Sequence, residues 1–169
     1  MTPDIQKEVS TLIREGRQPE ALALLQDAAA THRTDVALQL LLAHCLLMSK
    51  DSAAALAAAK EAVHRSPLEP AAHFLCARLH FAQHDFAAAR ENCEAVIDQT
   101  TDVAAYYAES CRLLHAASSL ELGDLARAQA QLNQVRQNCV VCAERVMTRN
   151  SVADALQAAL GAQQSSVAR

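Results

Sequence analysis

Cys139 and Cys142, separated by two valines, are the only pair of side chains in this 169-residue sequence whose spacing along the chain suits chemistry. Such a pair can act as a redox dithiol or supply half of a zinc site. At a helix N-terminus the backbone donors would stabilise a Cys139 thiolate. A thioredoxin-like oxidoreductase needs alternating strands and helices around its dithiol, and that pattern is absent. A zinc site needs two further ligands at comparable spacing, and there is no second pair. The plainer reading is two small, partly buried thiols at the end of a helical domain. His80 and His84 are four residues apart, as a ligand pair on one helix face would be. No metalloprotease pattern surrounds them, and His84 falls in a polar turn. Cys76 and Cys93 read as buried apolar fillers at facing positions. With no glycine-rich phosphate loop, nucleophile elbow or clustered carboxylates, the sequence predicts no enzyme, no cofactor and no metal.

The elements that hold these residues repeat. Ala21, Ala55 and Ala89 lie 34 residues apart, each in an alanine-rich helix just after a polar turn. A fixed period of this length, with two helices per unit, marks a helical solenoid. The predicted hairpins span about 2–33, 35–66, 70–98 and 102–137. Thr2 and Pro3 open the first, Gly16 ends its leading helix and Pro19 begins the return. Asp35 caps the second hairpin, Ser49–Ser52 turns it and Ser66-Pro67 stops it. Pro70 starts the third, which turns at Gln83–Asp85. In the fourth, the equivalent alanine is Ala128, 39 residues after Ala89 rather than 34. Lengthening the helix that holds Tyr106 and Tyr107 by roughly 7 Å would absorb the five extra residues. Residues 139–161 do not repeat the unit. Val141, Val146, Val152, Leu156 and Leu160 suggest a terminal capping helix, kinked near Asn150-Ser151, that covers the last open core. One domain over 1–162 and a frayed tail over 163–169 are expected.

Composition agrees with close-packed helices. Hydrophobic residues make up 51% and aromatics only 3%, whereas a sheet would be enriched in aromatic and β-branched residues. The net charge is −4 and every Lys or Arg stands alone, so no basic face for nucleic acid is expected. No apolar run approaches the ~18 residues of a membrane span. The first residues lack a signal-peptide pattern, and six cysteines then suit reduced thiols in a cytoplasm.

The repeat residues resemble the tetratricopeptide repeat family over about residues 2–137. The best-matched unit reads Leu42-Ala43 with Leu46, then Ala55-Leu56, Ala59, Ala62 and Pro67. The alanines at 43, 55 and 89 permit close helix approach. The usual early aromatic is replaced by Ile5, Gln39 and His73. The fourth unit aligns two ways, with Leu113, Ala117 and Leu120 or Leu114, Ser118 and Glu121 facing inward. The resemblance implies an all-α fold: a right-handed α-α superhelix of about four hairpins with a C-terminal capping helix, whose first helices line a concave groove. Gln6, Ser10, Ile13 and Arg14 would face that groove from the first unit. Leu40, His44, Leu47 and Met48 would follow from the second, and Phe74, Arg78 and Phe81 from the third. Aromatic, Met and Arg side chains commonly anchor recognition surfaces. Phe74 and Phe81 can equally be read as core packing. Some family members clamp a chaperone's C-terminal carboxylate with Lys and Asn. Here the matching places hold Gln6, Ser10, Leu40 and His44, which favours a mixed, mostly apolar groove.

The run His115–Leu120 followed by Gly123–Ala128 is similar to the last repeat of type III secretion chaperones. The first repeat is expected to begin almost at the N-terminus of this sequence, where those proteins resemble one another in carrying an extra leading helix. The implied partner is a protein or peptide, held by a scaffold or a chaperone. Nucleic acid and membrane are not expected. Alternatives are a thiol or metal protein built on Cys139 and Cys142, or a scaffold that self-associates through Tyr106 and Tyr107 as a homodimer.

Overall fold

The computed structural model describes residues 3–32, 34–143 and 146–167. It is all-α apart from one small β-hairpin. The helices in order are α1 (Pro3–Arg14), α2 (Gln18–Thr31), α3 (Val36–Met48), α4 (Ser52–Arg65), α5 (Pro70–Ala82), α6 (Phe86–Ile97), α7 (Asp102–Glu121) and α8 (Leu125–Leu132). Strands β1 (Val140–Cys142) and β2 (Val146–Thr148) follow, and then α9 (Arg149–Val167). The chain forms two compact units, residues 1–72 and 73–169.

Four turns share one local design. Gly16, Lys50, His84 and Gly123 all adopt left-handed backbone, with φ of 75°, 64°, 61° and 76°. In each, the amide of the following residue donates to a carbonyl five residues back, as Asp51 N does to Leu46 O at 3.0 Å and Asp124 N to Ser119 O at 2.8 Å. These bonds satisfy carbonyls that the helix end would leave orphaned. The residue after the turn then caps the return helix. Asp51, Asp85 and Asp124 accept from Ala54, Ala88 and Arg127 N at 3.0, 3.2 and 3.1 Å. Arg17 breaks the series, held by Glu15 and Glu20 instead. The left-handed residues therefore recur at the same 34, 34 and 39 spacing as the alanines.

Ala21, Ala55, Ala89 and Ala128 are all buried where the two helices of a hairpin meet. A longer side chain at any of them would push the paired helices apart. Asp35 caps α3 as expected, and Thr101 caps α7. The expected Thr2 cap lies outside the described residues. The extra length does fall in α7, with 20 residues against 13 in α3 and α5, but α8 is also cut to 8.

The C-terminal segment departs from expectation. Strands β1 and β2 pair antiparallel, Val140 with Thr148, Val141 with Met147 and Cys142 with Val146. Strand alternation buries Val141 and Met147 in the second unit's core and leaves Val140, Cys142 and Val146 exposed. The helix begins only at Arg149, and the expected kink at Asn150-Ser151 is in fact a helix start. Thr148 Oγ1 accepts from Ser151 N at 3.1 Å, while Ser151 Oγ accepts from Thr148 N at 3.0 Å. Each side chain thus satisfies the other's backbone donor, as in a capping box. The tail expected to fray from Gln163 stays helical to Val167. α9 packs on α7 and α8, and β1 on α7.

Candidate functional site

The thiols and histidines that opened the chemical question are not brought into one site. Cys142 lies on β1 and Cys139 just before it, so neither sits at a helix N-terminus. Partial burial pushes the Cys139 thiol up, with Glu109 adding to the shift against Ser110 and Arg136, the reverse of an activated thiolate. His80 is buried, with Nδ1 3.2 Å from Asp85 Oδ2, whereas His84 is exposed in its turn and stacks edge-on against Phe86. Cys76 and Cys93 are buried, and burial raises the Cys93 thiol well above its ordinary value, helped by Cys111 beside it. Among the described residues no three His, Cys, Asp or Glu side chains converge as metal ligands.

Counting back from each left-handed residue aligns the first helices. Six residues before it stand Ser10, His44, Arg78 and Ala117; ten before it stand Gln6, Leu40, Phe74 and Leu113. This register gives the fourth unit the alignment through Leu113, Ala117 and Leu120. The equivalent positions meet different fates.

In the first unit they stay open. Gln6, Ser10 and Arg14 are exposed, and Ser10 Oγ donates to Gln6 O at 2.7 Å. Leu40 and Leu47 are half-buried. Ile13, His44 and Met48 come together with Gln18, Ala21 and Cys45 around a cavity of about 140 Å³. Met48, 67% exposed, is the flexible side chain at its rim. Burial raises the Cys45 thiol, as an apolar wall requires.

In the second unit the inner positions are partly or wholly covered. Phe81, expected on the groove wall, is only 2% exposed. It turns toward α6 and packs edge-on against Phe86, with centroids 5.2 Å apart, and joins the core. Its groove assignment is therefore corrected: a ring that gains an aromatic partner and full burial there gains more than it would at a wet wall. Phe74 is half-buried against Tyr107, with centroids 5.4 Å apart. The Arg78 guanidinium lies 5.8 Å from the Phe74 centroid, and its Nε donates to the Cys142 carbonyl at 2.5 Å. Phe74, Arg78, Tyr106, Val140 and Cys142 line a cleft of about 470 Å³. Leu113 and Ala117 are buried, and α9 with β2 borders the pocket over Ala117 and Leu120.

Two features of this unit had gone unread. The first is the hairpin, whose one legible signal was the period-2 burial around Val141 and Met147 plus the Thr148–Ser151 box. The second is a buried polar network on α7. His115, 1% exposed, has Nε2 3.1 Å from Glu94 Oε1 and Nδ1 3.3 Å from Ser119 Oγ. Serine, histidine and carboxylate stand in nucleophile order, but Ser119 has no exposed surface and could meet no substrate. Burial lowers the His115 pKa, and Arg90 and Arg127 around Glu94 add to this against the pull of Glu94 itself. The network satisfies buried polar groups where α6 and α7 meet. Its signal was the i,i+4 spacing of His115 and Ser119.

Residues 46–114 match the family model described as tetratricopeptide repeat. That span runs from the end of α3 to the middle of α7. Comparison with curated proteins gave no match. Among the described residues no helix is long and apolar enough to cross a membrane.

Proposed function

The chain carries tetratricopeptide repeats, units that generally mediate protein–protein interaction, and from that premise we propose a non-catalytic interaction module that holds a peptide or partner protein on the inner positions of its first helices. One observation carries the reading: exposed or half-buried apolar and aromatic side chains gather beside a histidine or an arginine in a cavity or cleft at those positions. Ile13, His44 and Met48 do so in the first unit, and Phe74 and Arg78 in the second. Gln6, Ser10, Arg14, Leu40 and Leu47 stand at equivalent or adjoining places and complete the proposed contact set. A short peptide would bind at about micromolar affinity, since ordering it opposes the contacts made.

A scaffold, or a chaperone of the secretion kind, is the narrower form of this reading, supported by the likeness of His115–Leu120 and Gly123–Ala128 to that class. A cytoplasmic setting without nucleic-acid or membrane partners fits the net charge of −4 and the isolated cations. Self-association through α7 has one supporting observation, the 80% exposure of Tyr106. Tyr107 beside it already packs on Phe74. The thiol reading has less support, because Cys139 is pushed away from the thiolate.

Co-purification from the native cell identifies the partner. With that partner, Phe74→Ala should weaken binding by more than ~1 kcal/mol while helicity stays intact. Unchanged affinity would sink the assignment of these positions.

A further inference from the structure

The cleft of the second unit allows the partner's chemistry to be named, resting on the interaction-module reading. Among the described residues that line it, Arg78 is the one that carries a charge. The neighbouring arginines are matched: Arg136 grips Glu109, Arg127 lies 3.4 Å and Arg90 3.6 Å from Asp124, and Arg112 donates to Gln134. Arg78 is half-buried, yet its only polar contact is the Cys142 carbonyl, taken by Nε, and no carboxylate among the described residues pairs with it. A guanidinium removed from water without a counter-charge is held at a cost. In agreement, burial lowers the Arg78 pKa. Among the described residues no hydrogen-bond acceptor takes its Nη donors.

The rest of the described lining is mixed, with Ser110 and Tyr107 among its polar side chains. Phe74, Tyr106 and Val140 offer aromatic and aliphatic surface beside the cation. The hairpin wall is not a displaceable plug, because Val141 and Met147 anchor it in the core at 2% exposure each. The volume lies within the ~300–1,000 Å³ common for small binding pockets.

We propose that this cleft takes an internal, extended segment of a partner protein, one acidic side chain meeting Arg78 and a neighbouring apolar side chain packing on Phe74, Tyr106 and Val140. An internal carboxylate fits better than a chain terminus. Capture of a terminus uses several converging donors, and here a single cation stands among the lining residues.

The test is an array of random decapeptides, each acetylated and amidated so that no terminal charge is present, probed with the labelled full chain. Retained peptides should be enriched in Asp or Glu beside an apolar residue by about fivefold over the array, the upper reach of one partly exposed ion pair. Arg78→Gln should abolish that enrichment and Arg78→Lys should keep part of it. Tyr106→Ala, at an exposed position, should lower retention without changing the acidic preference. Retained peptides without acidic enrichment, or enrichment that survives Arg78→Gln, would overturn the proposal. So would an array that retains peptides only when their C-termini are left free, or none at all. The interaction-module reading stands or falls separately, on whether the full chain captures a partner in the cell.

Discussion

The two pockets share one repeat position, held by His44 in one and Arg78 in the other, and are otherwise built by different means. In the first unit, α1, α2 and α3 alone enclose the cavity around Ile13, His44 and Met48. In the second, the repeat supplies Phe74, Arg78, Tyr106, Tyr107 and Ser110, and a hairpin outside the repeat supplies the other wall. The repeat thus fixes where an inner position stands, and what later packs on it decides its use. Ser10 and His44 remain exposed, Arg78 is half-covered by β1, and Ala117 is sealed beneath the cap. A solenoid unit touches mainly its neighbours, so an appended element can redesign one stretch of the surface without disturbing another.

If that contrast is right, removing the hairpin's anchor should harm one unit alone. Met147→Ala should cost about 2–4 kcal/mol by leaving a cavity under the hairpin. Hydrogen exchange should then show lost protection in residues 73–167 and unchanged protection in α1–α4. Equal loss in both would mean that the appended wall is not a local device.

The repeat itself should respond alike in both units. Ala55→Leu and Ala89→Leu stand at equivalent buried positions, and each should cost ~1–3 kcal/mol by overpacking its hairpin. Denaturant melts of the two variants measure this. A neutral result for either would mean that its alanine is not at the helix contact.

The smallest effect has the opposite sign. Lys50 sits at φ 64°, where Gly16 and Gly123 occupy equivalent turns. Lys50→Gly should stabilise the first unit by about 0.5–1 kcal/mol, as relief of the left-handed strain outweighs the entropy of glycine. A drop in melting temperature would show that the lysine side chain contributes more than its backbone strain costs.

Much of the scaffold was legible because its signals are local. The period of the alanines, the turn at Ser49–Ser52, the cap Asp35 and the start at Pro70 each follow from a few adjacent residues. The candidate site was half legible. Phe74 and Phe81, seven residues apart, fall on one helical stripe and look alike. One lies in a cleft and the other in the core because Phe86 on the next helix is there to receive it. The hairpin was missed because Val141, Val146 and Val152 also fit a helical stripe. Strands three residues long are held by what they pack on rather than by their own propensity.

Local chemistry within the sequence therefore determined the hairpins, their spacing, their turns and the burial of their alanines. Tertiary structure alone decided which inner side chains stay exposed, that no carboxylate among the described residues pairs with Arg78, and that Cys142 belongs to the wall of a cleft. The division has a physical cause. Capping bonds and helix contacts span a few residues or one hairpin, whereas the wall beside Arg78 comes from Cys142, 64 residues further along the chain.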